Sequence, residues 1–269
     1  MEIDSPKTRE LKRLLQAMGS ALISFSGGVD SAFLLQVASE TLHEKAVAAT
    51  LVSPQFPRGD LIRAERLAKA LGVRHIKLAF DILSNEDFLR NDAMRCHFCK
   101  TKMIKLLKGE AKRQGLATVV DGSNLDDTKD YRPGLEAAQR GGGRSPLIET
   151  GFTKDDIRKE SKQRGLDNWN APSSACLASR IAYGTPITAE YLSRVDSAEQ
   201  VLRELGFNQV RVRYHPPIAR IEVSASEIDR LARAPIREKV TKALTELGFS
   251  YLTLDLAGFR TGSMNDLLS

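Results

Sequence analysis

Across the first two thirds of the chain, short apolar runs alternate with longer stretches whose apolar positions recur every three or four residues. The runs fall at 21–25, 46–52, 73–80 and 117–120, and helical patterns lie between them at 31–42, 58–71 and about 100–114. Gly72 and Gly115 stand where C-terminal helix caps belong. Short β-branched strands alternating with amphipathic helices predict an α/β fold with a parallel sheet covered on both faces. Ligands of such sheets sit beyond the carboxyl ends of the strands. That places three segments on one rim: the loop 26–31, the turn after Val52, and Asp121-Gly122-Ser123-Asn124. The tract Arg140-Gly141-Gly142-Gly143-Arg144 predicts a mobile loop, and Thr153 with Asp156 opens a further helix closed by Gly165.

After Tyr183-Gly184-Thr185-Pro186 the pattern changes. A helix over about 189–205, capped by Gly206, is followed by alternating strands at 209–214 and 218–223, a helical region and a last strand at 251–256. This predicts a smaller C-terminal α+β domain over 185–269, behind an α/β domain over 1–184. No apolar run approaches the roughly 20 residues of a membrane span, and the polar N-terminus lacks a signal-peptide core, so a cytoplasmic protein without a membrane partner is expected. Three cysteines cannot all pair within the chain. The net charge of +6 suits an anionic partner without choosing which. Lys100, Lys102, Lys105, Lys108 and Lys112 alternate with apolar residues, as a solvated helix face does; an RNA-binding stripe is the other reading.

The most informative segment is Ser26-Gly27-Gly28-Val29-Asp30-Ser31, between an apolar run and a helical pattern. A strand, a glycine turn and a helix N-terminus in that order make an anion cradle, with free N–H groups and the positive end of the helix dipole facing the ligand. Ser26 and Ser31 add hydroxyls, and Asp30 is placed to hold Mg2+ beside the phosphates of ATP. A Walker loop carries a lysine after its last glycine, and none is here. The loop resembles the PP-loop of ATP pyrophosphatases, which implies attack at the α-phosphate, an adenylated intermediate, and AMP plus pyrophosphate as products. A serine-glycine turn that binds nothing is the bland alternative.

Cys96-His97-Phe98-Cys99 and the distant Cys176 admit several readings: a zinc site with a histidine, an iron–sulfur cluster with one open iron, a redox disulfide, or unrelated buried thiols. Arg180 lies close enough in sequence to favour a Cys176 thiolate. Arg211 and Arg213, one strand period apart, make either a fork for phosphate or carboxylate, or a surface strand paired with Glu222. Asp126, Asp127 and Asp130, with Tyr131-Arg132-Pro133-Gly134, read as a polar rim loop.

The residues from Ser24 to Ser31, Asp121 to Asn124 and Asp130 to Gly134 resemble the sulfur transferases that build the nickel-pincer cofactor of lactate racemase, the LarE family of the PP-loop superfamily. So do Cys176-Leu177-Ala178-Ser179-Arg180, Val210-Arg211-Val212-Arg213, Ala219-Arg220-Ile221-Glu222 and the ending from Leu254 to Asn265. The resemblance implies adenylation of a carboxylate of pyridinium-3,5-biscarboxylic acid mononucleotide and replacement of AMP by sulfur, repeated on the second carboxylate. Sulfide or a sulfur-donor protein supplies the sulfur, and the family forms homo-oligomers, often hexamers. It further implies that Ser24, Ser26, Gly27, Gly28, Asp30, Ser31 and Asn124 serve the nucleotide. Arg180, Arg211 and Arg213 would serve the substrate, and Glu199 a divalent ion near Cys176. Some members sacrifice the sulfur of a single cysteine. Cys96, Cys99 and Cys176 together look like the three-cysteine version, in which a 4Fe–4S cluster carries a hydrosulfide to the adenylated substrate. An iron–sulfur tRNA thiolase is the main rival, but no aromatic-interleaved basic strip is present and only 6% of residues are aromatic, so a nucleic-acid partner is not expected. A nucleotide sensor that binds ATP without consuming it is a rival of another class.

Overall fold

The computed structural model describes residues 4–128, 133–172 and 174–260. The expected loop residues Asp130, Tyr131 and Arg132, together with Thr261 to Asn265 of the terminal motif, lie outside the described residues.

The chain forms two compact units. The first comprises Met1–Ser53, Arg58–Ile82 and Cys96–Ser174; the second comprises Pro54–Pro57, Leu83–Arg95 and Ala175–Ser269. The elements in chain order are α1 (Pro6–Met18), β1 (Ala21–Ser24), α2 (Val29–Leu42), β2 (Ala46–Val52), α3 (Arg58–Ala70), β3 (His75–Ala79), α4 (Glu86–Leu89), α5 (Arg95–Arg113), β4 (Thr118–Asp121), α6 (Pro133–Arg140), α7 (Pro146–Glu149) and α8 (Lys154–Gln163). They continue with α9 (Ala189–Glu204), β5 (Val210–His215), β6 (Ile218–Val223), α10 (Ile228–Ala232), α11 (Ile236–Glu246) and β7 (Tyr251–Leu254).

In the first unit four parallel strands run in the order β3-β2-β1-β4. β1 is central, and its residues Ala21, Leu22 and Ile23 are fully buried. The chain leaves β1 toward β2 on one side and meets β4 on the other. The loops after β1 and β4 therefore flank the crevice where the strand order reverses, the usual ligand position of such sheets. α2 is apolar nearly all round because it is buried between neighbours: Phe33, Leu34, Leu35 and Val37 are inaccessible, and Phe33 meets Phe152 at 5.2 Å. Each such side chain contributes about 1.5–3 kcal/mol by leaving water. α1 covers α2 with Leu11 and Leu15. The strand-and-helix pattern begins only at residue 21 and passes over α1, although Ser5 as a cap, Pro6 in the first turn and apolar residues four apart signal it.

Two expectations are corrected here. The glycine tract after Arg140 is packed: a Cβ at Gly141 or Gly143 would lie 2.6 or 2.8 Å from Ile104, and Arg144 bridges Val120 as a short extension of the sheet. Glycine serves there for close approach to α5. The helix expected from about residue 100 begins at Arg95, so Cys96 and Cys99 sit inside its first turns; Asp92 starts the turn by accepting from the Met94 N–H at 2.8 Å. The lysines of α5 are tied to neighbours, Lys100 to Asp121, Lys102 to the Asp81 carbonyl and Lys108 to the Gly141 carbonyl, which supports the helix-face reading.

The second unit carries a three-stranded sheet in the order β5-β6-β7, antiparallel then parallel, with α9 packed on β5. This unit takes Ala175–Ser269 together with the earlier segments Pro54–Pro57 and Leu83–Arg95. The physical reason is backbone pairing: the Leu177 N–H donates to the Gln55 carbonyl, the Ala182 N–H to the Tyr214 carbonyl, and Ile181 bridges Tyr214. Asn91, buried and with φ of 56°, holds the turn by donating to the carbonyls of Ala182 at 2.9 Å and Thr185 at 2.8 Å. No helix among the described residues is long and apolar enough to cross a membrane.

Candidate active site

In the first unit the loop after β1 turns at Gly27, whose φ of +73° a side chain rarely adopts. A Cβ there would stand 2.9 Å from the Ala64 backbone nitrogen on α3. The Gly27 carbonyl accepts from Arg63 Nε and Asn168 Nδ2, each at 3.0 Å, so the turn is held from both sides. Gly28 has an ordinary φ of −72° and caps α2 through its backbone, not through freedom of conformation. Ser26 and Ser31 face each other, with hydroxyls 3.2 Å apart, and the Ser31 hydroxyl also donates to the Gly28 carbonyl. Gly122, after β4, closes the other wall: a Cβ there would lie 2.8 Å from the Ser31 nitrogen. The sequence pattern places Gly122 on the rim, but only the folded backbone reveals this contact.

Asp30 occupies the first turn of α2. Lys154 of α8 donates to its Oδ2, while its Oδ1 is buried without a hydrogen-bond partner among the described residues. Burial pushes the Asp30 carboxyl above its ordinary value, against the pull of Lys154. Asp121, at the end of β4, behaves oppositely. Burial raises it, but Lys100, the Ser123 N–H and the Ser145 hydroxyl outweigh that and hold the carboxyl below the usual range. Asn124 is buried beside them; its N–H donates to Asp127 and its Oδ1 accepts from the Asp126 N–H.

In the second unit Arg180 is 1% exposed and forks onto Glu199, which is 0% exposed, with Nε–Oε1 at 2.8 Å. The same guanidinium donates to the carbonyls of Ala175 and Cys176 and to the Ser179 hydroxyl. It thus shapes the Cys176 loop through the backbone. The Cys176 sulfur lies 3.8 Å from Gln55 Oε1. Glu199 also accepts from Arg203 and the Val212 N–H, so the oxygens expected to bind a divalent ion are already engaged.

Arg211 and Arg213, 6% and 5% exposed, lie on one face of β5, and β5 is buried on both faces. The strand is not a surface one, but the pairing with Glu222 expected in that alternative is present. Arg213 forks onto Glu222 at 3.0 and 2.9 Å. Arg211 stands opposite Glu222 in register and stacks on Phe259 at 5.2 Å. Arg180, Arg211 and Arg213 are thus buried beside Glu199 and Glu222. Burial, with Arg180 as the next cause, lowers Arg211 to about 10. Desolvated guanidinium groups are suited to hold an anion.

Sequence comparison places these features in a family. Residues 9–100, which include the whole Ser26–Ser31 loop, match the family model of asparagine synthase. The chain is 38% identical over 265 residues to pyridinium-3,5-bisthiocarboxylic acid mononucleotide synthase of Lactiplantibacillus plantarum, covering 98% of this chain and 95% of that protein. The chain belongs to the LarE-type synthase family. It is an ATP-using sulfurtransferase. An uncharacterised protein of Synechocystis is 39% identical over 98% of both chains, and one of Methanocaldococcus jannaschii is 25% identical over 89% of this chain and 90% of its own.

Within this LarE-type chain the structure distributes the expected residues between the two units. Ser24, Ser26, Gly27, Gly28, Asp30, Ser31 and Asn124 gather in the first, with Cys96 and Cys99 one helical turn apart on α5. Cys176, Arg180, Glu199, Arg211 and Arg213 gather in the second. None of the three cysteines is in a disulfide, and within neither unit do the described residues bring together three His, Cys, Asp or Glu side chains as a metal site. Sequence reasoning missed the roles of Lys154, Asn91 and Gln55, whereas pairing of the arginine strand with Glu222 is one of its two readings. Their signals are single polar residues in ordinary contexts, and only spatial neighbours give them meaning.

Proposed function

We propose that this chain converts the carboxylates of pyridinium-3,5-biscarboxylic acid mononucleotide to thiocarboxylates, for the nickel-pincer cofactor of lactate racemase. The observation that carries the reading is the cluster of buried arginines Arg180, Arg211 and Arg213, in a chain alignable over nearly its whole length with a synthase of that product's name. A substrate oxygen attacks the α-phosphorus of ATP, the bond to the β-phosphate oxygen breaks, and pyrophosphate leaves. Hydrosulfide then attacks the carbonyl carbon of the acyl-adenylate, the bond to AMP breaks, and the thiocarboxylate loses its proton. No electrons are exchanged, and a second ATP serves the second carboxylate. Adenylation is needed because a carboxylate is a poor electrophile with no good leaving group.

The loop 26–31 takes ATP, with the N–H groups of α2 aimed at the phosphates. Asp30 fits Mg2+, since its Oδ1 is a buried oxygen without a partner among the described residues. Arg211 and Arg213 receive the substrate phosphate, and Arg180, tied to Glu199, fixes the loop that presents Cys176. In the same reading Cys96, Cys99 and Cys176, soft thiols outside any disulfide, would be the ligands of a 4Fe–4S cluster. When bound, it would supply soft sulfur for the transfer. Homo-oligomerisation is part of the same reading.

The test is anaerobic turnover of iron- and sulfide-reconstituted protein with ATP, Mg2+, sulfide and the mononucleotide, followed by mass spectrometry and AMP release. Sulfur incorporation beyond one atom per chain, lost in Cys96→Ala, is the expected result. ATP cleavage with no sulfur in the product overturns the substrate assignment. Full multiple turnover by Cys96→Ala overturns the cluster.

A further inference from the structure

The loop 26–31 lacks the lysine with which a Walker loop grips the terminal phosphates, and the fold supplies cations from elsewhere. α8 packs against α2 and carries Lys154 and Arg158 four residues apart and so on one helix face. Lys154 donates to Asp30 Oδ2 across 124 residues of sequence. Arg158 acts on the same carboxylate electrostatically, and its buried Nε has no hydrogen-bond partner among the described residues. Asp127 adds a second negative charge near Asp30. The start of α8 is held firmly in place, because Thr153 and Asp156 form a reciprocal capping box there and the Lys154 N–H donates to Asp126 at 2.8 Å.

We infer that Lys154 and Arg158 of α8 are the pyrophosphate-binding cations of the ATP site, Lys154 exchanging Asp30 for the β,γ-phosphates as Mg2+ takes the carboxylate. The inference deepens the reading above and rests on its assignment of ATP to the loop 26–31. The physical case is one of charge. Asp30 alone would repel a pyrophosphate group, whereas Asp30 neutralised by Mg2+, together with a lysine and an arginine, presents a net attraction. The ion pair engages Lys154 and Asp30 Oδ2 and leaves Asp30 Oδ1 without a hydrogen-bond partner among the described residues. An arginine with an unused buried donor is suited to bind a phosphate oxygen without first losing another partner. Both residues act on the leaving group, so they are binding residues for ATP and pyrophosphate and have no contact with the adenosine end.

Calorimetric titrations of full-length protein with Mg-ATP, Mg-pyrophosphate and AMP separate these roles. Lys154→Gln and Arg158→Gln are each expected to weaken ATP and pyrophosphate by about tenfold or more, the loss of one charge-assisted hydrogen bond, with AMP changed less than about twofold. Lys154→Arg, which keeps the charge, is expected to recover most of the ATP affinity. Unchanged ATP affinity in both glutamine variants overturns the inference, as does a parallel loss of AMP and ATP binding, which would mark a merely structural role. The titrations contain no pyridinium substrate. Wild-type protein that binds ATP tightly but makes no thiocarboxylate refutes the reaction assigned above, a result these binding ratios do not share.

Discussion

Arg180 and Glu199 form a forked ion pair with neither side chain accessible to water, and the guanidinium reaches from it to the carbonyl of Cys176. A buried charge whose partner is removed keeps its desolvation cost and loses its attraction. Glu199→Ala is therefore expected to destabilise the protein by about 3–5 kcal/mol, measured as the shift in urea midpoint. Loss of the Cys176 environment should accompany it, read as faster alkylation of that thiol.

Arg211 and Arg213 are neighbours on one strand with different obligations. Arg213 forks onto the fully buried Glu222, so Arg213→Met removes that fork and should lower stability markedly. Arg211 stacks on Phe259, and Arg211→Met is expected to lower stability less while raising KM for the mononucleotide about tenfold or more, the weight of one charge-assisted contact. Equal stability losses in both variants would contradict this division.

Gly27 and Gly28 are adjacent and unequal. Alanine at Gly27 combines a positive φ with a contact at 2.9 Å to backbone on α3, and alanine at Gly122 meets the Ser31 nitrogen at 2.8 Å. Both substitutions should displace the loop, with thermal unfolding shifted down and Mg-ATP binding lost. Gly28→Ala faces only the Ser26 hydroxyl at 3.4 Å, and its fold should survive.

Asp156 carries a pH dependence of definite sign. Burial raises its carboxyl, but Lys7 and the N–H and hydroxyl of Thr153 outweigh that and bring it from 3.8 to about 2. The folded protein thus holds this proton less tightly than the unfolded chain does. The resulting stabilisation is complete above pH 3.8 and is lost as pH falls toward 2. Acid titration of stability should show a shallower loss in Asp156→Asn across that window. The contribution is modest, because Asp156 is partly exposed and solvent screens the pair.

Much of the fold is written locally. The runs that became β1 to β4 announce themselves by β-branched and small apolar residues, and Gly72, Gly115, Gly165 and Gly206 all adopt the positive φ that their capping positions require. The capping box of Thr153 and Asp156 and the strand–glycine–helix order of the loop 26–31 are likewise legible, because each depends on residues within a few positions. The glycine tract after Arg140 misled for the same reason. Its composition speaks of freedom, while Ile104, far off in sequence, determines that it packs.

The sequence by itself determined the elements, the parallel α/β class, the phosphate loop and the kinds of residue available for chemistry. Tertiary structure alone decided which of them meet. It brought Lys154 to Asp30, set Arg213 on Glu222 and Arg211 on Phe259, and assigned the Cys176 loop to the second unit through its pairing with Gln55 and Tyr214. The physical reason is range. Periodicity, capping and φ preference act between neighbours along the chain, whereas charge balance and desolvation act between neighbours in space, which no local pattern encodes.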